Sequence, residues 1–224
     1  MNKYFTIITA LLLSMFVLSC EKTNKHVALS DTNLFLQNTS EMVDLGLSVK
    51  WRGWNLGATR PEEFGDYYAW GETKPKSSFS WSNYIFCNGS EGSMTKYNSS
   101  DNKVAFKDYN YEDDAARKKL GGRWRTPTDE EWTELINKCI WIPLTSKGVN
   151  GMLVTAQNGN SVFFPYTGRY SGYYIDPAHG GSYWSSSIST DYPRCAVSVA
   201  MQWGIVYMWD MNRSDGQPIR PVAD

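Results

Sequence analysis

The chain has little of the material that metal-dependent or imidazole-based catalysis requires. Its 224 residues include 2 His and 4 Cys, and these are not clustered at the close spacing of zinc ligands. The sequence also has no nucleophile elbow, phosphate-binding loop or dinucleotide fingerprint. These absences argue against the common enzyme classes, and we expect no cofactor and no metal ion. A calcium site built from oxygen ligands of distant loops stays open as an alternative.

An excess of charge of one sign is lacking too. The 22 Lys and Arg are balanced by 23 Asp and Glu, for a net charge of −1. The chain therefore has no excess of basic residues with which to bind a phosphate backbone. Nucleic acid is therefore not an expected partner. Aromatic side chains are abundant, because they make up 15% of the chain and include 10 Trp and 14 Tyr.

The N-terminus has the layout of a bacterial secretory signal. Lys3 precedes an apolar run over residues 4–18, which is shorter than the about 20 residues of a membrane-spanning helix. The run ends in Val17-Leu18-Ser19-Cys20, a lipobox-type sequence in which Cys20 is lipidated after cleavage. We predict a lipoprotein signal peptide over residues 1–19. The alternative is an ordinary signal peptide in which Cys20 has no special role.

Acyl chains on Cys20 would anchor the protein to a membrane without a spanning segment. Residues 20–41 are mostly polar and predict a flexible tether, and residues 42–224 are predicted to form one domain. The predicted location is the cell envelope, with a lipid anchor in the outer membrane. Export also means an oxidising compartment, where the three remaining cysteines allow at most one disulfide of undetermined pairing: Cys87, Cys139 and Cys195.

Strand and loop patterns dominate the first part of the domain. Apolar residues alternate over residues 43–51, which predicts a strand with one buried face, and residues 65–71 predict a second, aromatic strand between glycines. Residues 72–110 have no period and predict a long irregular insertion. Four aromatic residues are expected to pack it: Trp81, Tyr84, Phe86 and Phe106.

Two helices are predicted next. Residues 112–120 begin acidic and end basic before two glycines, as the helix dipole favours. Thr128 and Glu131 have the spacing of a capping box. Trp132 begins an apolar stripe that includes Cys139, so we predict that this thiol is a core residue.

Turn residues between β-rich segments predict hairpins in the last part of the domain. Residues 151–165 contain Asn158-Gly159, the pair typical of a two-residue type I′ turn, and residues 196–201 and 205–209 form a second pair of strands around Gly204. Residues 216–222 are interrupted by proline and predict an edge strand or a closing segment. Strands at both ends of the domain with helices between them indicate the α+β class.

Several residues are weak candidates for catalysis. His179 could act as a base, but a lone loop histidine is more often a solvated turn residue. Cys195 follows Arg194, which would lower the pKa of a nucleophilic thiol. The acid pairs could serve glycoside hydrolysis across a cleft, although helix starts and turns explain them more simply: Glu62-Glu63, Asp113-Asp114 and Glu130-Glu131.

Aromatic and small polar residues alternate densely in the C-terminal half, which is typical of recognition surfaces. The alternative is that these rings fill an irregular core. We expect Trp184 in the core and residues 202–215 at the surface. The candidate ligand contacts are Tyr192, Arg194, Gln202, Trp203, Tyr207, Trp209, Asp210, Asn212, Arg213 and Asp215.

Six segments, in this order, resemble the Fibrobacter succinogenes major paralogous domain family of exported Bacteroidetes lipoproteins. They cover much of the mature domain and are residues 43–51 (VDLGLSVKW), 65–73 (GDYYAWGET), 112–116 (EDDAA), 122–132 (GRWRTPTDEEW), 183–187 (YWSSS) and 216–222 (GQPIRPV).

The resemblance implies a C-type lectin-like fold of the formylglycine-generating-enzyme type, with two helices packed on small mixed or antiparallel sheets and long loops. The catalytic cysteine pair of those enzymes and the calcium-dependent sugar motifs of animal lectins have no counterpart in this sequence. Some relatives diversify a ligand-binding face that would correspond here to residues 189–215.

We therefore predict a non-catalytic surface lipoprotein whose lectin-like domain binds an extracellular glycan or protein. Two alternatives stay open. One is a polysaccharide hydrolase that uses paired carboxylates. The other is a structural component of a surface or pilus assembly, which would use an exposed strand edge.

Overall fold

The computed structural model describes residues 41–97, 106, 110–175 and 180–224. These residues contain two α-helices and four small antiparallel sheets, so the predicted α+β class is confirmed. The helices are α1 (Ala115–Leu120) and α2 (Asp129–Lys138), and the strands are β1 (Met42–Val43), β2 (Lys50–Arg52), β3 (Trp124–Arg125), β4 (Ile140–Ser146), β5 (Val149–Thr155), β6 (Ser161–Pro165), β7 (Tyr170–Ser171), β8 (Tyr174–Ile175), β9 (Gly180–Ile188), β10 (Cys195–Gln202), β11 (Ile205–Asn212) and β12 (Val222–Ala223).

The two ends of the described chain meet in one sheet, whose strand order is β1-β2-β12-β3. Val222 pairs with Trp51 on one side and with Arg125 on the other. Of the two alternatives predicted for residues 216–222, the edge strand is therefore wrong, whereas a segment that closes the sheet agrees with this pairing. Proline lacks the N–H of the ladder, but Pro221 lies just before the paired residues, so the strand can occupy an interior position.

Residues 43–51 form a turn between two strands and not one continuous strand. β1 pairs with β2, and Val43 lies opposite Trp51. Gly46 has φ +68°, which reverses the chain in a conformation that glycine adopts without strain. The alternating burial was predicted correctly, but the backbone that produces it was not.

The segment over residues 65–71 is extended but makes only an isolated bridge, from Tyr68 to Gln217, so the predicted second strand is also wrong. The insertion that follows contains a short 3₁₀ helix at Trp81–Asn83. Tyr84, Phe86 and Phe106 are buried in a shared core, with Trp81 packed against it. The predicted role of these aromatic residues is confirmed.

Both helices form close to where the sequence predicts them. α1 begins later than expected, because the Asp114 carboxylate accepts from the backbone of Ala116 at 2.9 Å and so caps the helix. The capping box of α2 is confirmed: Glu131 N donates to Thr128 Oγ1 at 3.3 Å, and Thr128 N donates to Glu131 Oε2 at 2.9 Å. Cys139 is the C-cap of α2 and is only partly buried.

The two C-terminal hairpins form, but the two-residue turn predicted for the first of them is wrong. The β5–β6 loop is not a two-residue type I′ turn, because Gly159 N donates to Ala156 O at 3.0 Å and Ala156 N donates to Asn160 O at 2.9 Å. This is a three-residue loop with a glycine at positive φ. The β10–β11 hairpin has the two-residue loop, at Trp203-Gly204.

A three-stranded sheet of order β11-β10-β9 lies between two hydrophobic cores. Tyr183 and Trp184 are neighbours on β9 and point to opposite faces. Trp184 packs with the aromatic residues of the insertion, whereas Tyr183 packs with Trp132 of α2 and Phe164 of β6. This sheet therefore holds the insertion on one side and α2 on the other.

Candidate functional site

The β10–β11 hairpin builds the part of the surface that the sequence singles out for binding. All eight residues of each strand are paired without a bulge, from Cys195 opposite Asn212 to Gln202 opposite Ile205. Successive side chains on β11 alternate between the faces of the sheet, so the odd-numbered residues share one face.

The turn of this hairpin holds an aromatic residue in an unusual backbone conformation. Trp203 has φ +51° and Gly204 has φ +79°, as a type I′ turn requires. Asn, Asp and Gly are the usual residues there, and a bulky residue at positive φ is strained. The Trp203 side chain is 77% exposed. The strain is therefore not offset by burial of the ring against the described part of the protein.

Four large apolar side chains are exposed on the hairpin, and we call this set the aromatic face: Trp203, Ile205, Tyr207 and Trp209. The rings of Tyr207 and Trp209 meet edge to face, with centroids 6.1 Å apart and planes at 87°. Trp209 is 59% exposed. Contiguous exposed rings of this kind are typical of a binding surface.

Two cavities open on either side of Trp209. A cavity of about 370 Å³ is lined by Arg169, Ser182, Gln202, Tyr207 and Trp209, among others. We call the other the edge groove. It has about 710 Å³ and is lined by Arg169, Ser171, Tyr192, Arg194, Cys195, Val197, Met208, Trp209, Asp210, Met211, Asn212 and Asp215. Both volumes lie in the range of small-ligand sites.

Two carboxylates with different surroundings line the edge groove. Burial raises the pKa of Asp215 to about 6, against the opposing attraction of Arg169. Asp210 accepts a hydrogen bond from Ser189 Oγ at 2.7 Å. The groove therefore offers one carboxyl that titrates near neutral pH and one held by a hydroxyl group.

The structure brings most of the predicted contacts to this region. Tyr192, Arg194, Asp210, Asn212 and Asp215 line the edge groove. Gln202 and Tyr207 line the smaller cavity, Trp209 lines both, and Trp203 lies at the exposed turn.

Arg213 does not belong to the exposed set, although the sequence predicted it there. Its side chain is fully buried and donates to the carbonyl groups of Lys96 and Tyr97, each at 3.2 Å. The guanidinium also lies over the ring of Trp70, 5.5 Å from its centroid. Arg213 therefore ties the insertion to the end of β11, and the expectation that residues 202–215 lie at the surface is wrong for Met211 and for residues 213–215.

Arg169 and Ser171 line both cavities, and the sequence did not identify them as contacts. They belong to the segment that forms the β7–β8 hairpin, which backbone bonds between Tyr170 and Gly216, at 2.8 and 2.9 Å, tie to the C-terminal segment. The dense Tyr, Gly, Ser and Arg composition of residues 166–174 was the available signal. It identified a recognition surface without saying that it faces β11.

The three described cysteines are unpaired. Burial raises the pKa of the Cys195 thiol more than Arg194 lowers it, so the predicted activation of this thiol by its neighbour is wrong. His179, the candidate base, and Cys20 lie outside the described residues.

The acid pairs considered for hydrolysis have structural partners, and none of these residues lines either cavity. Glu62 accepts from Ser146 Oγ at 2.8 Å, and Glu63 accepts from Thr59 N at 2.7 Å. Asp113 pairs with Lys96, and Asp114 caps α1. Glu130 and Glu131 lie in the first turn of α2.

Within the described ranges, no group of three or more His, Cys, Asp or Glu is placed to hold a metal ion, and no helix there is long and apolar enough to cross a membrane. Comparison of the chain with family models, with curated proteins and with solved structures finds no match. The family resemblance of the six segments therefore stays a prediction.

Proposed function

We propose that this protein is an exported, lipid-anchored surface protein whose lectin-like domain binds an extracellular ligand, a glycan or a protein, without transforming it. The aromatic face and its two cavities form the binding site. The α+β architecture with small antiparallel sheets agrees with this proposal, and the six-segment family resemblance supports the lectin-like assignment.

The observation that carries the proposal is that Trp203 and Trp209 are exposed, whereas the other eight tryptophans are buried or partly buried. Trp51, Trp70, Trp132 and Trp184 are at most 1% exposed. Exposed tryptophans cost solubility, so their concentration beside two cavities favours a binding role. Rings of this kind stack on sugars or fill pockets of a protein partner.

The test is a binding screen of the full-length protein against an oligosaccharide array and a panel of immobilised extracellular glycoproteins. We expect the double variant Trp203→Ala, Trp209→Ala to lose at least about tenfold in affinity for each ligand found, as interface tryptophans commonly do. Ile140→Ala is the matched control, because Ile140 is 66% exposed on β4, outside the face. Unchanged affinity of the double variant for every ligand would contradict the proposal.

A polysaccharide hydrolase is the second candidate function, because Asp210 and Asp215 line one cavity beside Trp209. A buried carboxyl with a raised pKa and a second carboxyl on the same cavity are the groups that glycoside hydrolysis uses as acid and base. Release of reducing ends from polysaccharides, abolished by Asp215→Asn, would favour this function. Absence of any release alongside tight binding would favour the non-catalytic proposal.

A further inference from the structure

β11 is the outer strand of its sheet, and its register shows which backbone groups face outward. Because Gln202 and Ile205 flank a two-residue loop, they form a hydrogen-bonded pair, and such pairs alternate along an antiparallel ladder. The odd-numbered residues of β11 therefore bond to β10. Arg213 N continues this ladder by donating to Arg194 O at 3.0 Å. The N–H and C=O groups of Val206, Met208 and Asp210 point away from β10.

Two other sheet edges in the described part of the chain carry protection that β11 lacks. The outer edge of β9 is covered, because Trp184 N donates to Pro218 O at 3.2 Å and Ser186 N donates to Pro127 O at 2.7 Å. β4 contains Pro143 within the strand. β11 contains no proline, no lysine and no bulge over its eight pairs. An exposed strand of this kind is a template for another chain.

The edge groove runs along this free strand. Its lining includes both Met208 and Trp209, which point to opposite faces of β11, so the cavity extends over the edge of the strand. Arg169 and Ser171 line it from one neighbouring segment, and Tyr192 and Arg194 line it from another. A groove bounded by separate segments and lined by a strand edge together with Cys195 and Val197 of β10 suits one extended chain better than the edge of a second folded sheet.

Charge in the groove indicates which side chain the occupant carries. Asp210 forms no ion pair with any cation among the described residues; its hydrogen-bond donor is Ser189 Oγ at 2.7 Å. Of the two groove arginines, Arg194 lies 3.8 Å from Glu91, and Arg169 attracts Asp215. A residue directly opposite Asp210 on an added strand would lie within cross-strand reach, where a basic side chain is favourable.

We propose that the ligand of this site is an extended peptide segment of a partner protein, which adds to β11 as an antiparallel strand and places a Lys or Arg opposite Asp210. Its alternate residues are apolar and lie beside Tyr207 and Trp209. This inference rests on the proposed binding function and names the class of partner.

The probe is a capped hexapeptide of sequence TVKVTV, whose Lys lies opposite Asp210 when the first Thr lies opposite Asn212. Titration into isotopically labelled full-length protein should protect the outward amides of Met208 and Asp210 from hydrogen exchange, because the six peptide residues lie opposite residues 207–212. The amides of Tyr207 and Trp209, already bonded to β10, should change little. We expect TVEVTV to bind about five- to tenfold more weakly, because a like charge then faces Asp210.

Two controls isolate the main-chain contacts. N-methylation of the peptide at the residues that donate to β11 should abolish binding without altering the protein. Met208→Pro removes an outward N–H while the bonds to β10 remain, and it should abolish peptide binding in a variant whose spectrum is otherwise native. Asp210→Asn should remove the preference for Lys over Glu.

Peptide binding that is insensitive to N-methylation, or no binding of any strand-forming peptide, would overturn strand addition. Protection of the same amides by self-association, with no peptide bound, would overturn it in favour of a second copy as the occupant. Glycan binding that depends on Trp209, without peptide binding, would also overturn it while leaving the proposed function in place.

Discussion

Asp210 and Asp215 are five positions apart and line one groove, yet the protein surrounds them differently. Asp215 is 5% exposed, and its burial opposes ionisation more strongly than Arg169 favours it. Ser189 stabilises the Asp210 carboxylate with a hydrogen bond. Composition alone predicted both as ligand contacts, whereas their different burial becomes visible only in the structure.

The raised pKa of Asp215 predicts a measurable cost to folding. From pH 3.8 to about 6, the folded protein holds a proton that the unfolded chain releases, so its stability falls as the pH rises through this window. We expect Asp215→Asn to be more stable than the parent by about 3 kcal/mol at pH 7, with the difference disappearing below pH 4. Chemical denaturation at a series of pH values measures this difference.

Asp191→Asn is the control for this measurement, because Asp191 lies on the exposed loop before β10. We expect its stability to follow that of the parent at every pH. If the Asp215→Asn curve also runs parallel to the parent curve between pH 4 and 7, Asp215 does not titrate abnormally.

At the scale of elements, the β10–β11 hairpin combines a regular ladder with an unfavourable turn residue. Asn and Gly are preferred in a type I′ turn because they tolerate positive φ, and Trp203 does not share that tolerance. Strain retained at an exposed position is often associated with function. Substitution of Trp203 therefore tests whether the strained turn residue lowers the stability of the protein and contributes to ligand binding.

We expect Trp203→Asn to stabilise the folded protein by about 1 kcal/mol, because it relieves the backbone strain without removing a buried contact. The same variant should bind more weakly to any ligand of the aromatic face. Thermal and denaturant unfolding measure the first effect, and the binding screen measures the second.

Gly204→Ala is the opposing control, because Gly204 has φ +79° and an added Cβ would lie 3.3 Å from Pro143 Cγ. This change should destabilise the hairpin. A stability loss in Trp203→Asn as well would mean that the exposed indole contributes to folding and that the turn carries no relievable strain.

How well an element could be predicted depended on whether its determinants are local. The capping box of α2 lies within four residues and was predicted at both partners. Residues 43–51 show the opposite case, because alternating burial is produced equally by one strand or by a turn between two. β4 and β9 were not predicted, since their burial depends on which strands pair with them.

At the scale of the whole molecule, the two cores on either face of the β9–β10–β11 sheet decide what remains exposed. The insertion covers one face near Met211, and α2 and β6 cover the other near Val199 and Met201. The sheet is left open at its β11 edge. The proposed binding site is therefore the uncovered part of a sheet that is otherwise buried.

The predicted lipid anchor gives a test that is independent of the folded domain. Because acylation at Cys20 provides membrane attachment without a spanning helix, we expect Cys20→Ser to release the full-length protein from the membrane fraction. Fractionation with immunodetection measures this release. A variant that stays in the membrane fraction would contradict the lipoprotein assignment and leave the aromatic face unaffected.

The sequence by itself determined the features whose causes are local in the chain. These are the α+β class, the two helices and the capping box of α2, the positions of the C-terminal hairpins, and the lack of metal and nucleophile motifs. It also directed attention to residues 189–215 through their composition. Hydrogen bonds and side-chain periods that span a few residues carry this information, so they can be recognised without the fold.

Tertiary structure alone decided which of those residues are available for binding. Arg213 is buried because it reaches carbonyl groups 116 and 117 positions earlier, and Arg169 joins the groove because its segment pairs with Gly216. β12 became an interior strand because β2 and β3 lie on both sides of it. Such contacts depend on how distant segments pack, and composition and spacing do not encode that arrangement locally.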